Sequence, residues 1–322
     1  MKIGLYSITY LGIWYRGRAL TVPELVEKAV ALGYDGIEVD GKRPHGNPMD
    51  WDERERGTFR DLCAERGVEV VGVASNNDFA SPVPEHRQAQ LLMVREQIRL
   101  CRDVGGKVVR LFFAWPGVTL DGDGLASYEF ARPIWNDVAR YSTRQEKWSW
   151  VRACLKEAAR MAEDAGVVVA LQNHTPLLRH YRDMLDMIDD VGSPGLRACL
   201  DVPILEQQDD AYVRQAVRDT GELQAHSHFG GEYRRGEDGA VRQHVHDFGR
   251  ATTNYGAFVR ALREVGYDGY FCYEFCHPCV SGSHDAVSFE YVDEQARLAR
   301  EYLRGVLEAE GAYTGRAAAA AR

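Results

Sequence analysis

Four side chains that commonly bind divalent cations stand at the ends of four successive predicted strands. Gln172 closes the run VVVALQ, Asp201 closes ACLD, His228 closes LQAHSH and Glu274 closes YFCYE. Because parallel barrel strands end at one rim, these side chains are predicted to share a site. Oxygen and nitrogen ligands without a thiolate suit one divalent ion with positions left open for substrate oxygens. Mn²⁺ is the first expectation, with Mg²⁺, Co²⁺ or Zn²⁺ as alternatives.

Each of these residues also has an ordinary structural interpretation. A single Asp or His at a strand end usually anchors a loop, so the metal hypothesis depends on four such residues occurring on consecutive strands. His226 lies on the same face of its strand as His228, and His228 is preferred as the ligand because it is nearer the strand end. Cys276 and Cys279 in CHPC resemble half of a zinc site, but no second CxxC pair accompanies them.

Glycines mark the elements that would position these residues. At seven points an amphipathic segment ends at a glycine and an apolar run follows, as expected where a glycine caps a helix before a strand. With the opening run over residues 2–8, this gives eight strands alternating with helices. The pattern predicts a single (β/α)8 TIM barrel over residues 1–310 and a flexible C-terminal tail over 311–322. The glycines are Gly33, Gly67, Gly105, Gly166, Gly192, Gly221 and Gly266.

The alternative architecture is an open, doubly wound sheet. Such a sheet favours a glycine-rich phosphate loop after an early strand, but the first turn, TYLGIWYRG, has no GxGxxG pattern. Long segments follow the fourth and seventh strands, over residues 115–147 and 229–254. Both lie after the carboxyl ends of strands, where barrel enzymes build their active sites.

Composition excludes several classes of protein. Of 322 residues, 45% are hydrophobic and 27% charged, and the mean hydropathy is -0.37, as in a globular protein with a sizeable core. The net charge of -9 disfavours nucleic acid as a partner, and no apolar run is long enough to span a membrane. Seven scattered cysteines and the lack of a signal peptide predict a cytoplasmic protein with reduced thiols.

The sequence resembles the xylose isomerase-like barrel superfamily of sugar isomerases, sugar epimerases and inosose dehydratases. The resemblance runs from KIGLYSI through GYDGIEVDG and LQNH to HSHFGGE and GYDGYFCYE. It implies that the ends of strands five to eight supply Glu, Asp, His and Glu to one divalent metal, which holds neighbouring oxygens of a sugar. Asp201, His228 and Glu274 match this pattern, whereas Gln172 stands where the family usually has Glu.

This departure changes the expected chemistry. Epimerases of the family pass a proton between two metal-bound glutamates, and glutamine cannot carry a proton. With one carboxylate fewer, the metal would be a stronger Lewis acid. His174, two residues beyond Gln172 on the same face, is predicted to be the general base because an imidazole titrates near neutrality. The alternative for His174 is a supporting, hydrogen-bonded role.

Within the superfamily, the stretches GLYSITYLGIWYRG, DGKRPHGNPMDW, ASNNDF, FFAWPGV, ALQNHTP and SHFGGEYRRG resemble the catalytic subunit of bacterial C-glycoside deglycosidases. That resemblance implies a lyase that cleaves the C–C bond of 3-oxo-glucosyl aromatic C-glycosides by β-elimination. It also implies a small β-sandwich partner subunit and a hetero-oligomer. The alternatives are a ketose 3-epimerase, a sugar isomerase or inosose dehydratase, a nuclease of the related apurinic-site type, and a catalytically silent binding subunit.

Other polar and aromatic residues near strand ends are candidates for contact with the substrate. Each of them either touches the sugar or fixes a loop. Arg110 is predicted inside the fourth strand, where a buried cation needs a partner, and Glu38 is a carboxylate that could neutralise it. The predicted substrate-binding residues are Glu38, Asn77, Trp115, His226 and Arg234.

Overall fold

The computed structural model describes residues 1–245, 252–277 and 286–316. Its centre is a closed barrel of eight parallel strands, which confirms the predicted (β/α)8 fold and excludes the open sheet. Around the barrel the strands follow the order β1, β12, β9, β8, β7, β4, β3, β2, with all strands numbered along the chain. They are β1 (Lys2–Tyr6), β2 (Gly36–Asp40), β3 (Glu69–Ala74), β4 (Val108–Leu111), β5 (Thr119–Leu120), β6 (Ala126–Ser127), β7 (Val168–Gln172), β8 (Leu196–Cys199), β9 (Gln224–Gly230), β10 (Glu232–Arg235), β11 (Val241–Val245) and β12 (Tyr270–Glu274).

The helices that follow the barrel strands pack around them. The first helix shows how the sequence sets its ends: Thr21 and Glu24 form a capping box, and Gly33 ends the helix with φ of 77°, a left-handed conformation that favours glycine. The helices are α1 (Val22–Leu32), α2 (Glu53–Arg66), α3 (Pro84–Asp103), α4 (Ala131–Ala139), α5 (Arg144–Ala165), α6 (Tyr181–Val191), α7 (Asp210–Thr220), α8 (Tyr255–Glu264) and α9 (Phe289–Ala309).

The first and last strands close the barrel. Lys2 lies opposite Tyr270 and Leu5 opposite Tyr273 in the parallel β1–β12 pair, and β12 pairs on its other side with β9. Every residue of β2 and β4 is buried, as expected for parallel strands covered on both sides. The carboxyl ends of the strands therefore form one rim, from which the long segments continue.

The segment after β4 folds over this rim. It contains the β5–β6 hairpin and α4, and the Trp135 indole donates a hydrogen bond to Asp78 (3.0 Å) in the loop after β3. The buried Lys147 ammonium donates to the carbonyls of Ala139 and Ser142, both at 2.6 Å, and so holds the end of α4. The outer side of this segment carries exposed apolar side chains, which are Phe130, Ile134, Val138 and Tyr141.

The segment after β9 begins with the antiparallel β10–β11 pair, and part of it, 246–251, lies outside the described residues, as does Cys279 of the CHPC motif. Residues 311–316, the described part of the predicted tail, pack against the barrel. Ala312 is buried, its carbonyl accepts a hydrogen bond from the Met1 amino group (2.6 Å), and the Arg316 amide donates to Asp35 (2.7 Å). In the described part of the chain, no helix is long and apolar enough to cross a membrane.

Candidate functional site

A cavity of about 600 Å³ opens at the carboxyl ends of the strands. Four of the predicted metal-binding and catalytic residues line it, namely Gln172, His174, Asp201 and Glu274. Gln172 and Glu274 are the last residues of β7 and β12, and Asp201 lies two residues beyond β8. The strand ends therefore place these side chains at a common cavity, as the sequence pattern predicts.

Three of the four predicted ligands touch one another. The Gln172 amide donates a hydrogen bond to Asp201 Oδ2, and the same oxygen lies 3.0 Å from His228 Nδ1. Gln172 Nε2 is 3.4 Å from His228 Nδ1. The Asn173 side chain accepts a hydrogen bond from the Asp201 amide (2.9 Å), which fixes the start of the loop after β8. Gln172, Asp201 and His228 thus converge beside the cavity that Glu274 also lines.

The other ring nitrogen of His228 is held by Glu38. His228 Nε2 lies 2.9 Å from Glu38 Oε2, so the ring is fixed between two buried carboxylates. Burial alone would lower the pKa of His228, but Glu38 and Asp201 outweigh it and hold that pKa well above its usual value. In metalloproteins a carboxylate on the far ring nitrogen commonly orients a histidine ligand. Glu38 is therefore placed to position His228.

His226 occupies a different environment from His228. Its Nε2 lies 3.1 Å from Glu38 Oε2, and its ring stands edge-on to that of His228 at 4.7 Å. It belongs to a group with Glu38 and Cys272, whereas His228 belongs to a group with Asp201 and Cys199. Only the second group includes predicted ligands, which favours His228 over His226 as the metal-binding histidine.

The donor atoms fit a divalent cation. Gln172 Oε1 is buried without a hydrogen-bond partner, and turning the amide over would present this oxygen beside Asp201. The sequence pattern did not reveal the Cys199 thiol, which lies 3.5 Å from Asp201 Oδ1. Burial, reinforced by Asp201, raises the pKa of this thiol well above its usual value, so the thiol is protonated when no metal is bound. The predicted ligands themselves supply oxygen and imidazole donors, which suit a divalent first-row ion.

His174 stands at the cavity wall, just beyond β7. Its ring is edge-on to Phe112 at 5.0 Å and to Trp115 at 5.1 Å. Nδ1 lies 2.5 Å from the Thr175 carbonyl, which can only accept, so Nδ1 carries the proton and Nε2 is the free acceptor. Burial lowers the pKa of His174 to about 4. The ring is therefore neutral at neutral pH, so Nε2 can accept a proton, but this pKa lies well below the near-neutral value on which the prediction of His174 as general base depended.

Of the predicted substrate-binding residues, Trp115 lines the cavity, and the structure places the others elsewhere. Glu38 and His226 are buried against His228. Asn77 donates to and accepts from the Phe112 backbone, at 2.7 and 3.0 Å, and so holds the end of β4. Arg234 is exposed on β10. The position of Glu38, His226 and Asn77 near strand ends did not reveal that ion pairs or backbone hydrogen bonds already occupy their side chains.

A second polar group lines the cavity on the side of β1–β4. Tyr6, the last residue of β1, donates to Asp40 (2.7 Å) and accepts from Arg110 (3.0 Å). Glu38 forms no hydrogen bond with Arg110, because both histidines of β9 occupy its carboxylate. Burial alone would lower the pKa of Arg110, but Tyr6, Glu38 and Glu274 outweigh it and raise that pKa, so Glu38 does favour the charged form, as expected. The sequence analysis missed Tyr6, although its place at the end of the first strand was a usable signal. The polar cavity residues here are Tyr6, Lys42, Asn76 and Arg110.

His45 closes a hydrogen-bonded chain behind this group. Its Nε2 donates to the Leu20 carbonyl (3.0 Å), so its Nδ1 accepts from the Ser7 hydroxyl (3.1 Å). Ser7 Oγ in turn accepts from the Asp40 amide (2.8 Å). Burial lowers the pKa of His45, with Lys42 acting in the same direction and the Leu20 carbonyl and Asp40 opposing.

We expect this histidine to make the protein sensitive to acid. The pKa of His45 is depressed in the folded state, so its contribution to stability is complete above about pH 6.5, the pKa in the unfolded chain, and falls as the pH decreases toward the folded value. Denaturant unfolding at pH 8 and pH 5.5 measures the free energy of unfolding, which should decrease less between these two pH values for His45→Gln than for the wild type. Equal losses would contradict the assignment.

Comparisons with known proteins agree with this architecture. The sequence matches a family described as xylose isomerase-like TIM barrel over residues 26–305, and a search of curated proteins finds no match. D-psicose 3-epimerase from Clostridium cellulolyticum H10, crystallised with D-tagatose, superposes with a TM-score of 0.68 at 17% identity, covering 95% of this chain and 99% of that one. L-Ribulose 3-epimerase superposes with a TM-score of 0.65 at 20% identity, covering 96% of this chain and 95% of that one. 3-Keto-D-glucoside 4-epimerase from E. coli superposes with a TM-score of 0.64 at 19% identity, covering 93% of this chain and 99% of that one.

Proposed function

The chain belongs to the xylose isomerase-like TIM barrel family, and from this we propose that it is a metal-dependent enzyme that removes the proton beside the ketone of a keto sugar. This proton removal begins both epimerisation and β-elimination. The observation that carries the proposal is the convergence of Gln172, Asp201 and His228 at a cavity that also holds His174 and Glu274.

Gln172, Asp201, His228 and Glu274 are the residues that would hold the cation. When bound, a divalent cation would polarise the ketone and hold neighbouring sugar oxygens. Asp201 and Glu274 supply the negative charge of this set, while Gln172 contributes a neutral oxygen. Glu38 keeps the His228 ring oriented from behind.

The protein's own base is His174. Its Nε2 is free to accept because Nδ1 is bound to the Thr175 carbonyl. As the C–H bond beside the ketone breaks, the proton passes to Nε2 and the electron pair moves toward the ketone oxygen. The edge-on rings of Phe112 and Trp115 hold the imidazole in place and limit water around it.

Two products can follow from this step. The sugar epimerases among the structural relatives support an epimerase or isomerase, in which the proton returns to the sugar. A second candidate is the C-glycoside deglycosidase reaction, in which the aryl group leaves from the carbon next to the one deprotonated. It departs with the electron pair of the broken C–C bond and takes up a proton from water, while a C=C bond forms between the two sugar carbons. Gln172 favours this elimination, because an amide cannot return a proton from the other face of the sugar.

The aromatic lining of the cavity also supports the elimination. Phe112 and Trp115 stack at 4.9 Å between ring centres, and Trp14 and Tyr128 stack at 5.4 Å. All four rings line the cavity and offer flat apolar surface to an aromatic aglycone.

The test is NMR in D₂O with Mn²⁺-loaded protein and three substrates. D-Fructose, methyl 3-oxo-glucoside and a 3-oxo-glucosyl phenol C-glycoside are followed for deuterium uptake beside the ketone. Interconversion of fructose with its epimer would identify an epimerase, and release of the free phenol would identify the lyase. Mn²⁺-loaded protein that exchanges no proton in any of the three, with its small partner subunit present, overturns the proposal.

Gln172→Glu restores the usual carboxylate of the family and gives a sharper prediction. We expect the variant to retain its metal, because a third carboxylate strengthens the ligand set. Its rate of proton exchange should fall, because the added negative charge weakens the Lewis acid. Elemental analysis and deuterium exchange measure the two effects. A variant with faster exchange and with epimerase activity would show that Gln172 is what separates this chain from epimerases.

We further propose that a small β-sandwich subunit binds near the mouth of the barrel. The exposed apolar residues of the segment after β4 support this location, since Phe130, Ile134 and Tyr141 are each at least 59% exposed beside the cavity-lining Glu129 and Arg132. Size-exclusion chromatography with light scattering tests the need for this subunit. A lone chain that runs as a stable and fully active species contradicts it, whether monomeric or homo-oligomeric.

A further inference from the structure

Arg110 is a buried cation at the cavity that makes no hydrogen bond to a carboxylate of the described residues, although Glu38 and Glu274 lie near enough to act on its charge. It is 3% exposed, lies within β4 and lines the cavity. Its hydrogen bonds go to the Ser75 carbonyl (2.8 Å) and the Tyr6 hydroxyl (3.0 Å). Among the residues that the structure describes, no acid forms a salt bridge with it. Its Nε is buried without any hydrogen-bond partner.

The guanidinium is also held rigidly. Its carbon lies 4.0 Å from the centre of the Phe112 ring, which stacks in turn on Trp115. The carbonyl of Ser75 and the hydroxyl of Tyr6 fix its remaining rotation, and Asp40 fixes the Tyr6 hydroxyl. A planar donor that is immobilised before binding loses little entropy when it meets an acceptor.

Nη1 and Nη2 of Arg110 each use one N–H in the hydrogen bonds to Ser75 and Tyr6 and carry a second one, for which an oxygen of a ligand in the cavity that Arg110 lines would be the acceptor. The cavity is where such a ligand would bind, and Phe112 contacts both the guanidinium and the His174 ring. The predicted metal ligands come from β7, β8, β9 and β12. Arg110 therefore supplies a second point of attachment, on the side of the cavity formed by β1–β4.

We propose that Arg110 is a substrate-binding residue whose guanidinium donates hydrogen bonds to an oxygen of the keto sugar and so presents the reacting C–H bond to His174. This inference rests on the proposed function for the identity of the sugar. The ligand chemistry is a hydroxyl or ketone oxygen of a neutral 3-oxo-glycoside. Lys42 and Asn76 line the same side of the cavity and complete a polar surface for the other hydroxyls.

The test compares Arg110→Met and Arg110→Lys with the wild type on methyl 3-oxo-glucoside and its 2-, 4- and 6-deoxy analogues. Loss of a charge-assisted hydrogen bond should lower kcat/KM for proton exchange by about 10- to 100-fold in Arg110→Met. Arg110→Lys keeps the charge but not the planar fork and should recover only part of this. One of the deoxy analogues lacks the oxygen that Arg110 binds. For that analogue, the loss of activity in Arg110→Met should be smaller than the sum of the losses caused by each change alone, because both changes remove the same hydrogen bond.

Controls separate this role from a structural one. Added guanidinium should partly restore exchange in Arg110→Ala, and the metal content of all variants should equal that of the wild type. Arg99→Met, on the exposed side of α3, is the matched control. If Arg110→Met does not fold, Arg110→Lys carries the test. Wild-type kcat/KM in the folded variant, or additive losses for every analogue, overturns the proposal.

A binding measurement keeps the inference distinct from the proposed reaction. Titration of Mg²⁺-loaded protein with methyl 3-oxo-glucoside, followed by tryptophan fluorescence, measures binding whether or not the proton is exchanged. Arg110→Met should bind this probe about 10- to 100-fold more weakly than wild type. If wild-type protein exchanges no proton but this difference in affinity holds, the reaction is wrong and the role of Arg110 stands. Equal affinities of wild type and Arg110→Met for this probe would contradict the role of Arg110 without contradicting the proposed reaction.

Discussion

Asp201→Ala should empty the metal site and lower turnover by at least about 10³-fold, because the bound cation is expected to contribute several kcal/mol to catalysis. Asp201 is central to the site: its Oδ2 contacts both Gln172 and His228, and its Oδ1 accepts from the His228 amide at 2.7 Å. Glu274→Ala should have the same effect, because these two residues carry the negative charge of the predicted ligand set. Metal stoichiometry by elemental analysis is the measurement.

Folding must be checked in these variants. Removing one partner of a buried charged pair costs about 3–5 kcal/mol, and Asp201 is paired with His228. Asp201→Asn keeps the shape and removes only the charge, so it is the variant to use if Asp201→Ala unfolds. Asp164→Ala, on the exposed side of α5, is the matched control. Unchanged metal stoichiometry in both Asp201→Ala and Glu274→Ala would place the metal elsewhere.

His174→Ala should lose about 10²–10⁴-fold in turnover while it keeps the metal and most of its affinity for the substrate. The reason is geometric: Nδ1 is fixed on the Thr175 carbonyl, which leaves Nε2 as the acceptor at the cavity wall. Deuterium exchange at the carbon beside the ketone reports proton removal directly, even when a later bond cleavage is slow. His86→Ala replaces an exposed histidine of α3 and is the control.

The outcome that contradicts this assignment is exchange at the wild-type rate in His174→Ala. The role of base would then move to His226, His228 or Glu274. His228 is held between two carboxylates and His226 is buried beside Glu38. Of His174, His226 and His228, it is His174 that lines the cavity.

Much of the fold was predictable because its signals are local. The Thr21 capping box and the left-handed Gly33 delimit α1 within a few residues of sequence, and the same alternation of helix end and strand start repeats along the chain. The placement of Gln172, Asp201 and Glu274 at one cavity follows from barrel geometry once the strand ends are known. Neither inference requires a contact between distant parts of the chain.

The parts that sequence reasoning missed depend on contacts across the barrel. Glu38 meets His228 over a separation of 190 residues, and Arg110 meets Tyr6 over 104. Strand alternation shows that a side chain points inward but not which inward-pointing side chain it will meet. Asn77 illustrates a second limit, because its amide is used by the Phe112 backbone in a way that residue type alone does not reveal.

The pairing of β1 with β12 has a consequence for how the protein is made. During synthesis β1 emerges early, but its partner Tyr270–Glu274 leaves the ribosome only after more than four-fifths of the chain. Until then β1 and β9 both present unpaired edges, which are surfaces prone to aggregation. Contacts of such long sequence separation also slow folding. Nascent chains that stop short of β12 should therefore depend on chaperones, and the active site can be assembled only after β12 has been synthesised.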